Sequence, residues 1–332
     1  MTKFGIGLLG DQPVLEMCEF ARLAEENGYE YVWVADESPS PPFRDVFVAM
    51  TAIALKTERV KLATGVCNPY SRHPAQIAVA IWSLNEIARG RVFVGLGPGG
   101  SVSLRPLGIE MWNKPVSAIR ESFKILRGMF AGETVNLEGE VLRAVNCKLG
   151  QAPQEKIPIY LAARGPKMLE LVGELSDGAL LTTPYEYLDF AVKKIKSAAE
   201  RAGRKMDEIE IANWLPFAMD RDGDKAKEMV KVEVCFMVAD SPDIVHEKVG
   251  LRPEDVAAVR AAIKKGIPEA MKKVTREMVD SFSISGTPEE CTEKMEMFAK
   301  GGVDQIVLSS PFGANPREVL KKVGGEVIPA FR

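Results

Sequence analysis

The sequence predicts a (β/α)8 TIM barrel with insertions, and three observations carry that prediction. Short apolar runs alternate with amphipathic helical stripes along most of the 332 residues. The repeat is about 30 residues, the length of one strand–helix unit. About eight such units can be counted, the number at which a parallel sheet closes on itself. An open doubly wound sheet is the alternative that fits the same alternation.

Residues 3–9 read as the first strand, and 13–28 carry apolar residues at Leu15, Cys18, Phe20, Leu23 and Ala24, a helical stripe closed by Gly28 as a left-handed cap. Tyr31 to Ala35 is the second strand, followed by Asp36-Glu37 and a proline-rich turn. A helix over 45–56 leads to strand 60–64, and a helix over 75–89 leads to strand 91–96. The pattern resumes with IPIYLAA (157–163), helix 166–175, GALLT (178–182), helix 187–202 and strand 209–215. Helix 288–300, strand 305–310 and a helix over about 315–327 complete it.

Three segments interrupt the alternation. Residues 98–114, rich in Gly, Pro and Ser, are suited to a loop over a site; 133–150 read as an extended excursion turning at Glu138-Gly139-Glu140. Residues 219–282 are charged and helical, an insertion within a single domain spanning 1–332.

Composition narrows the function. A net charge of −3 with no long basic block argues against a nucleic-acid partner. Five scattered cysteines without CxxC spacing argue for reduced thiols and against a zinc site or disulfide framework. Met1-Thr2-Lys3 runs directly into the first strand, and no apolar run approaches the roughly 20 residues of a membrane span. The expectation is a cytoplasmic enzyme without a metal ion. HExxH, GxSxG and P-loop patterns are missing from the sequence.

In a parallel barrel, ligands sit where the C-terminal strand ends converge, and the strand ends here carry distinctive residues. KLATGVCNPYSRHPA delivers Gly65-Val66, Asn68, Tyr70, Arg72 and His73 before a helix opening at Pro74. His73 there is a candidate ligand for a phosphate or carboxylate, or a helix cap. Gly95-Leu-Gly97-Pro98-Gly99-Gly100 satisfies GxGxxG, but Pro106, Gly108 and Pro115 delay the helix that a dinucleotide fingerprint requires. It reads better as a loop that lets a planar ring approach the backbone, or as a plain turn. Ala163-Arg164-Gly165-Pro166-Lys167 opens a helix with free amides and two cations, suited to an anion or to simple capping. Asp36-Glu37 would face the mouth, where burial can raise a carboxyl into the range of a general acid. Gly286-Thr287-Pro288-Glu289-Glu290 is a capping box and is assigned to structure.

Several of these strings, with KFGIG, VGLGPG, LGIEMWNKPVSAIRE, KIPIYLAARGPKMLELVGELSDGALL, SISGTPEE and GGVDQIVLSSPFG, resemble the bacterial luciferase-like flavin and deazaflavin superfamily. NPYSRHP with LGIE…KPVSAIRE is most similar to its methylenetetrahydromethanopterin reductase branch. The resemblance implies a luciferase-like barrel that binds coenzyme F420, a deazaflavin carrying hydride at C5, with a non-prolyl cis peptide at Gly65-Val66. It implies an oxidoreductase acting on a CH–NH group in one-carbon metabolism, as in methanogenesis, with a pterin or folate substrate and a dimeric or tetrameric homo-oligomer.

The cofactor-lining positions carried over are Gly65, Val66, Asn68, Gly97, Pro98, Gly99, Ala163, Arg164 and Gly165, and Tyr70, Arg72 and His73 are assigned to the substrate. The branch departs at Gly7, where the methanogen reductases have a glutamate, and at Asp36-Glu37, where other members have Asp-His. Gly100 stands where related dehydrogenases have a glutamate. Glu37, with Asp36 beside it, is therefore the expected acid. An FMN-dependent monooxygenase or reductase on the same barrel, or an inactive cofactor-binding homologue, are the alternatives.

Overall fold

The computed structural model describes residues 1–110 and 113–332; Met111 and Trp112, within the LGIEMWNKPVSAIRE string and the 98–114 loop, lie outside the described residues. The first four strand–helix units are β1 (Lys3–Leu8), α1 (Val14–Glu26), β2 (Tyr31–Val34), α2 (Val46–Lys56), β3 (Lys61–Thr64), α3 (Pro74–Ile87) and β4 (Val92–Leu96), followed by short α4 (Ser101–Leu104) and long α5 (Pro115–Phe130). The excursion is an antiparallel hairpin, β5 (Val135–Glu138) and β6 (Arg143–Cys147). The second half runs β7 (Ile159–Ala162), α6 (Pro166–Leu175), β8 (Gly178–Leu181), α7 (Tyr185–Arg201) and β9 (Glu210–Met219). Six helices fill the insertion: α8 (Gly223–Met229), α9 (Lys231–Asp240), α10 (Asp243–Val249), α11 (Pro253–Ile263), α12 (Ile267–Met271) and α13 (Arg276–Phe282). The chain closes with β10 (Ile284–Gly286), α14 (Pro288–Lys300), β11 (Gln305–Phe312) and α15 (Pro316–Lys322).

Eight parallel strands pair in the closed order β1-β2-β3-β4-β7-β8-β9-β11, with β11 returning to β1. The open-sheet alternative is thereby excluded. β9 runs longer than expected because its C-terminal extension pairs with β10, a strand hidden in the sequence beside the capping box, and β11 because Phe312 pairs with Ala218 of that extension. That box forms as read: Thr287 Oγ1 accepts from the Glu290 amide at 3.3 Å, and Glu290 Oε2 from the Thr287 amide at 2.7 Å. Gly28 is left-handed, as its place after α1 requires. The last helix stops at Lys322 and continues as a π-helical turn over Val323–Val327.

The alternation of side chains along each strand sorts two cores. Ile6, Val32, Leu62, Val94 and Leu161 face the jacket of helices. Tyr31, Trp33, Ala63, Phe93, Tyr160, Ala212, Trp214 and Val307 fill the barrel. The rings inside meet edge to face, Trp33 on Phe93 at 4.9 Å and Tyr31 on Phe93 at 5.7 Å. The buried indole Nε1–H of Trp33 donates to Gln305 Oε1 at 2.8 Å.

Rings of this size fit because facing strands present glycine. A Cβ on Gly178 would lie 2.4 Å from the Tyr160 ring, and one on Gly7 or Gly65 would lie 2.6 Å from the indole of Trp214. At Gly95 the obstacle is backbone, the Thr64 carbonyl oxygen at 1.8 Å. Thr64 cannot retreat, since its Oγ1 donates to the Gly95 carbonyl at 2.7 Å and accepts from the Gly95 amide at 3.0 Å. Gly95→Ala is therefore expected to destabilise the fold by about 3 kcal/mol or more, read as a lower urea midpoint; an unchanged midpoint would refute the steric argument.

Candidate active site

The C-terminal strand ends open into a cavity of about 1470 Å³, bounded by the loops after β1, β2, β3, β4 and β7 and roofed by α9. Its floor is Trp214, whose ring lies over Gly7 and Gly65. The missing carboxylate of the first strand thus has a physical explanation: the indole occupies the space a side chain at Gly7 would need.

Beyond the inward Tyr31, Trp33 and Ala35, the chain leaving β2 brings the Glu37 carboxyl to the cavity wall. Its Oε2 is buried without a hydrogen-bond partner. Burial, reinforced by Asp36 and Asp240, pushes the Glu37 carboxyl up to about 8, while Ser103 and Arg164 pull the other way. Asp36 is also raised, chiefly by burial, and Ser38 Oγ donates to its Oδ1 at 3.4 Å.

At the end of β3 the Gly65–Val66 peptide is cis, as the resemblance implies. Val66 presses on the next strand end, where a Cβ on Gly97 would lie 2.7 Å from its Cγ2. Gly99 has φ +74, a left-handed conformation that suits glycine. The helix after this loop is only four residues long, which removes the dinucleotide-fingerprint reading. Asp240 of α9 anchors that helix, accepting from the Ser101 amide at 3.2 Å and its hydroxyl at 3.0 Å.

After β7, Arg164 is half-buried, and desolvation lowers its pKa. Its Nη1 donates to the Met237 carbonyl at 3.4 Å and Ser241 Oγ at 3.3 Å, while its own carbonyl accepts from Tyr187 OH at 2.7 Å. A Cβ at the adjacent Gly165 would meet nothing within 4 Å, so the backbone opening α6 is uncrowded.

Of the positions assigned to the cofactor, Gly65, Val66, Pro98, Gly99, Ala163, Arg164 and Gly165 line the cavity. Gly97 and Asn68 stand behind this lining. Asn68 is fully buried, and its Oδ1 accepts from the Tyr70 and Ser71 amides at 3.1 and 2.8 Å. Both Asp36 and Glu37 are in the cavity wall.

Tyr70, Arg72 and His73, assigned to the substrate, lie outside this lining, and each is engaged by protein. Tyr70 OH donates to the Asn113 carbonyl at 2.8 Å. Arg72 pairs with Asp45 at 2.7 Å and stacks over Phe47. His73 Nδ1 accepts from the Ala75 amide at 3.1 Å as a helix cap, and its Nε2 meets the Arg143 carbonyl at 2.9 Å.

The structure adds Asp11, Trp214, Glu233, Asp240 and Ser309 to the cavity wall. Trp214 and Ser309 follow from two-residue alternation along β9 and β11, whereas Asp11 lies past the end of β1, beyond the left-handed Gly10. Glu233 and Asp240 come from the insertion, for which the sequence carries no such signal.

The family model described as luciferase-like monooxygenase matches residues 1–305. The chain is 40% identical over 328 residues to a 5,10-methylenetetrahydromethanopterin reductase of Methanolobus tindarius, covering 98% of this chain and 99% of the relative. It is 38% identical to the protein of the same name from Archaeoglobus fulgidus, covering 99% and 100%. The solved structure of the coenzyme F420-dependent tetrahydromethanopterin reductase from Methanopyrus kandleri superposes with a TM-score of 0.90 at 34% identity, covering 100% of this chain and 99% of that one.

The contact between Asp240 and Ser101 generates a prediction. Asp240→Ala removes the acceptor at the start of α4, a loss of about 1 kcal/mol by analogy with helix caps. Amide hydrogen exchange over residues 101–104 should then accelerate about fivefold, and unchanged exchange would show that α4 is held by other contacts.

Proposed function

This chain belongs to the luciferase-like monooxygenase family, and from that premise we propose that the cavity over Trp214 is its active site. The protein is an oxidoreductase acting on a CH–NH group, a coenzyme F420-dependent 5,10-methylenetetrahydromethanopterin reductase. The observation that carries the site assignment is Glu37, a carboxyl whose raised pKa favours the acid form at neutral pH, set in the wall of a cavity of about 1470 Å³.

The residues present suit a deazaflavin. Gly65–Val66 and Pro98–Gly99 offer backbone and small side chains to a flat ring, and Gly165 leaves the start of α6 open to an anionic tail. Half-buried Arg164 supplies positive charge on that side. When bound, the cofactor supplies hydride to the substrate carbon. Positioning in a largely apolar cavity accounts for much of the rate.

The chain's own part is proton handling. Glu37 gives its proton to the nitrogen of the methylene bridge, the bridge opens to an electrophilic cation, and Glu37 remains as carboxylate until solvent reprotonates it. Burial, reinforced by Asp36 and Asp240, keeps that carboxyl basic enough to hold its proton at rest. Arg164 stabilises the carboxylate left behind. The insertion supplies α9 to the cavity, so it belongs to the same domain as the barrel. Exposed Val48 and Leu55 of α2, with Leu15 of α1, favour a homo-oligomer, to be tested by light scattering. Among the described residues no helix is long and apolar enough to cross a membrane.

Glu37→Gln is expected to lower reductase turnover about 10²–10⁴-fold, with the deazaflavin Kd nearly unchanged; turnover within a few-fold of wild type removes Glu37 as the acid. The sign of the pH effect follows from a pKa raised from 4.5 to about 8. The acid form is present below that value, so wild-type turnover should fall as pH rises through about 8. The residual rate of Glu37→Gln should lack this limb.

A further inference from the structure

Orphaned polar atoms gather on one side of the cavity. Among the described residues, the buried side-chain atoms without a hydrogen-bond partner include Asp11 Oδ1 and Gln12 Oε1, just past β1, and Ser309 Oγ and Ser310 Oγ, on the adjoining β11. Glu233 Oε2, on α9, is a further one. Asp11, Ser309 and Glu233 line the cavity. Ser309 is only 1% exposed, so neither bulk water nor protein satisfies its hydroxyl.

Leaving such groups unmade is costly, and their concentration in a ligand cavity marks a place where a ligand completes them. The chemistry of the set selects that ligand. Two carboxyls and a hydroxyl are rich in acceptors, and among the described residues no lysine or arginine pairs with the Asp11 or Glu233 carboxylate. Arg44 reaches the main-chain carbonyl of Asp11 instead. Burial, with the charge of Asp11 beside it, pushes the Glu233 carboxyl up to about 7. What these three side chains lack is an N–H donor to pair with.

We propose that Asp11, Ser309 and Glu233 hold the donor edge of the substrate's aminopyrimidinone ring, with Glu233 as the specificity-determining residue. The inference rests on the reductase reading above. A pterin presents a ring N–H and an adjacent exocyclic amino group on one edge, a pair that a carboxylate can accept in two-point fashion. The pyrimidinedione of a deazaflavin presents a single N–H between two carbonyls, and those carbonyl oxygens would oppose a carboxylate. Topology agrees. β1 and β2 are neighbouring strands, so Asp11 and Glu37 address one ring system from adjacent strand ends, one at the recognition edge and one at the reacting nitrogen.

The test uses the full-length enzyme loaded with reduced deazaflavin. Steady-state kinetics with 5,10-methylenetetrahydromethanopterin are compared for wild type, Glu233→Gln and Ser309→Ala, with competition by a tetrahydropterin and by its 2-oxo counterpart. Glu233→Gln is expected to raise KM about 10- to 100-fold, the effect of a lost charged hydrogen bond, with a smaller change in kcat and deazaflavin Kd within about twofold. Wild type should prefer the 2-amino competitor, and Glu233→Gln should lose that preference. Should Glu233→Gln fail to fold by circular dichroism, Ser309→Ala carries the same readouts, with a KM rise of about fivefold. A wild-type KM in the folded variants, a weakened deazaflavin Kd in place of the KM effect, or no amino-over-oxo preference in wild type overturns this proposal while leaving the reductase reading in place. Wild-type protein that does not turn over the methylene pterin at all overturns the reductase reading, and this proposal with it.

Discussion

The interior of this barrel is held to one solution by the match between large rings and missing side chains. Tyr160 needs Gly178, and Trp214 needs both Gly7 and Gly65. Because protein interiors are close-packed, such a fit has little tolerance in either direction. It sets the depth of the ligand cavity: Trp214 closes the barrel at the level of the cis Gly65–Val66 peptide, and everything above it is available to ligands. The same fit determines where acid chemistry can originate. With the space at Gly7 taken by indole, the nearest strand end offering a carboxyl toward the cavity with a raised pKa is that of β2, at Glu37.

The second constraint is the insertion helix α9, fastened at its C-terminal end from three directions. Arg164 binds the Met237 carbonyl and Ser241 from the barrel. Arg260 donates from α11 to the Ala239 and Ser241 carbonyls, both at 3.0 Å. Cations at exposed helix carbonyls are favoured by the helix dipole as well as by the hydrogen bonds themselves. Asp240 ties the helix to the loop after β4. These contacts do more than hold a roof in place, because Asp240 and Arg164 are two of the charges that act on Glu37, in opposite senses. Packing of the insertion and acidity of the cavity wall are therefore one problem, because the long connection after β9 brings α9 to the cavity.

Much of the chain was legible because barrels write themselves as repeats. The alternation gave all eight barrel strands, and glycine and proline punctuation gave most helix boundaries. Glu37 was legible from its place: the Asp36-Glu37 pair follows the second strand at the end where a barrel opens. The loops at Gly65–Val66, Pro98–Gly99 and Arg164–Gly165 were legible from their residue types and their resemblance to a known family. β10 was not, since three residues beside a strong capping box leave no period to detect.

Tyr70, Arg72 and His73 show the limit from the other side. Their residue types suggested a ligand, but whether a strand-end side chain turns inward depends on what competes for it, here Asp45, the start of α3 and the hairpin carbonyl of Arg143. The sequence by itself determined the strand–helix period and the parallel sheet, because these rest on local pattern, and its resemblance to a known family pointed to the class of chemistry at the strand ends. Closure of the sheet was settled by the pairing of β11 with β1. Only the tertiary structure decided that Trp214 takes the place of a first-strand side chain, that α9 brings Glu233 and Asp240 to the cavity, and which polar atoms stay unpartnered there. Those outcomes depend on contacts between residues far apart in the chain, and no local pattern encodes them.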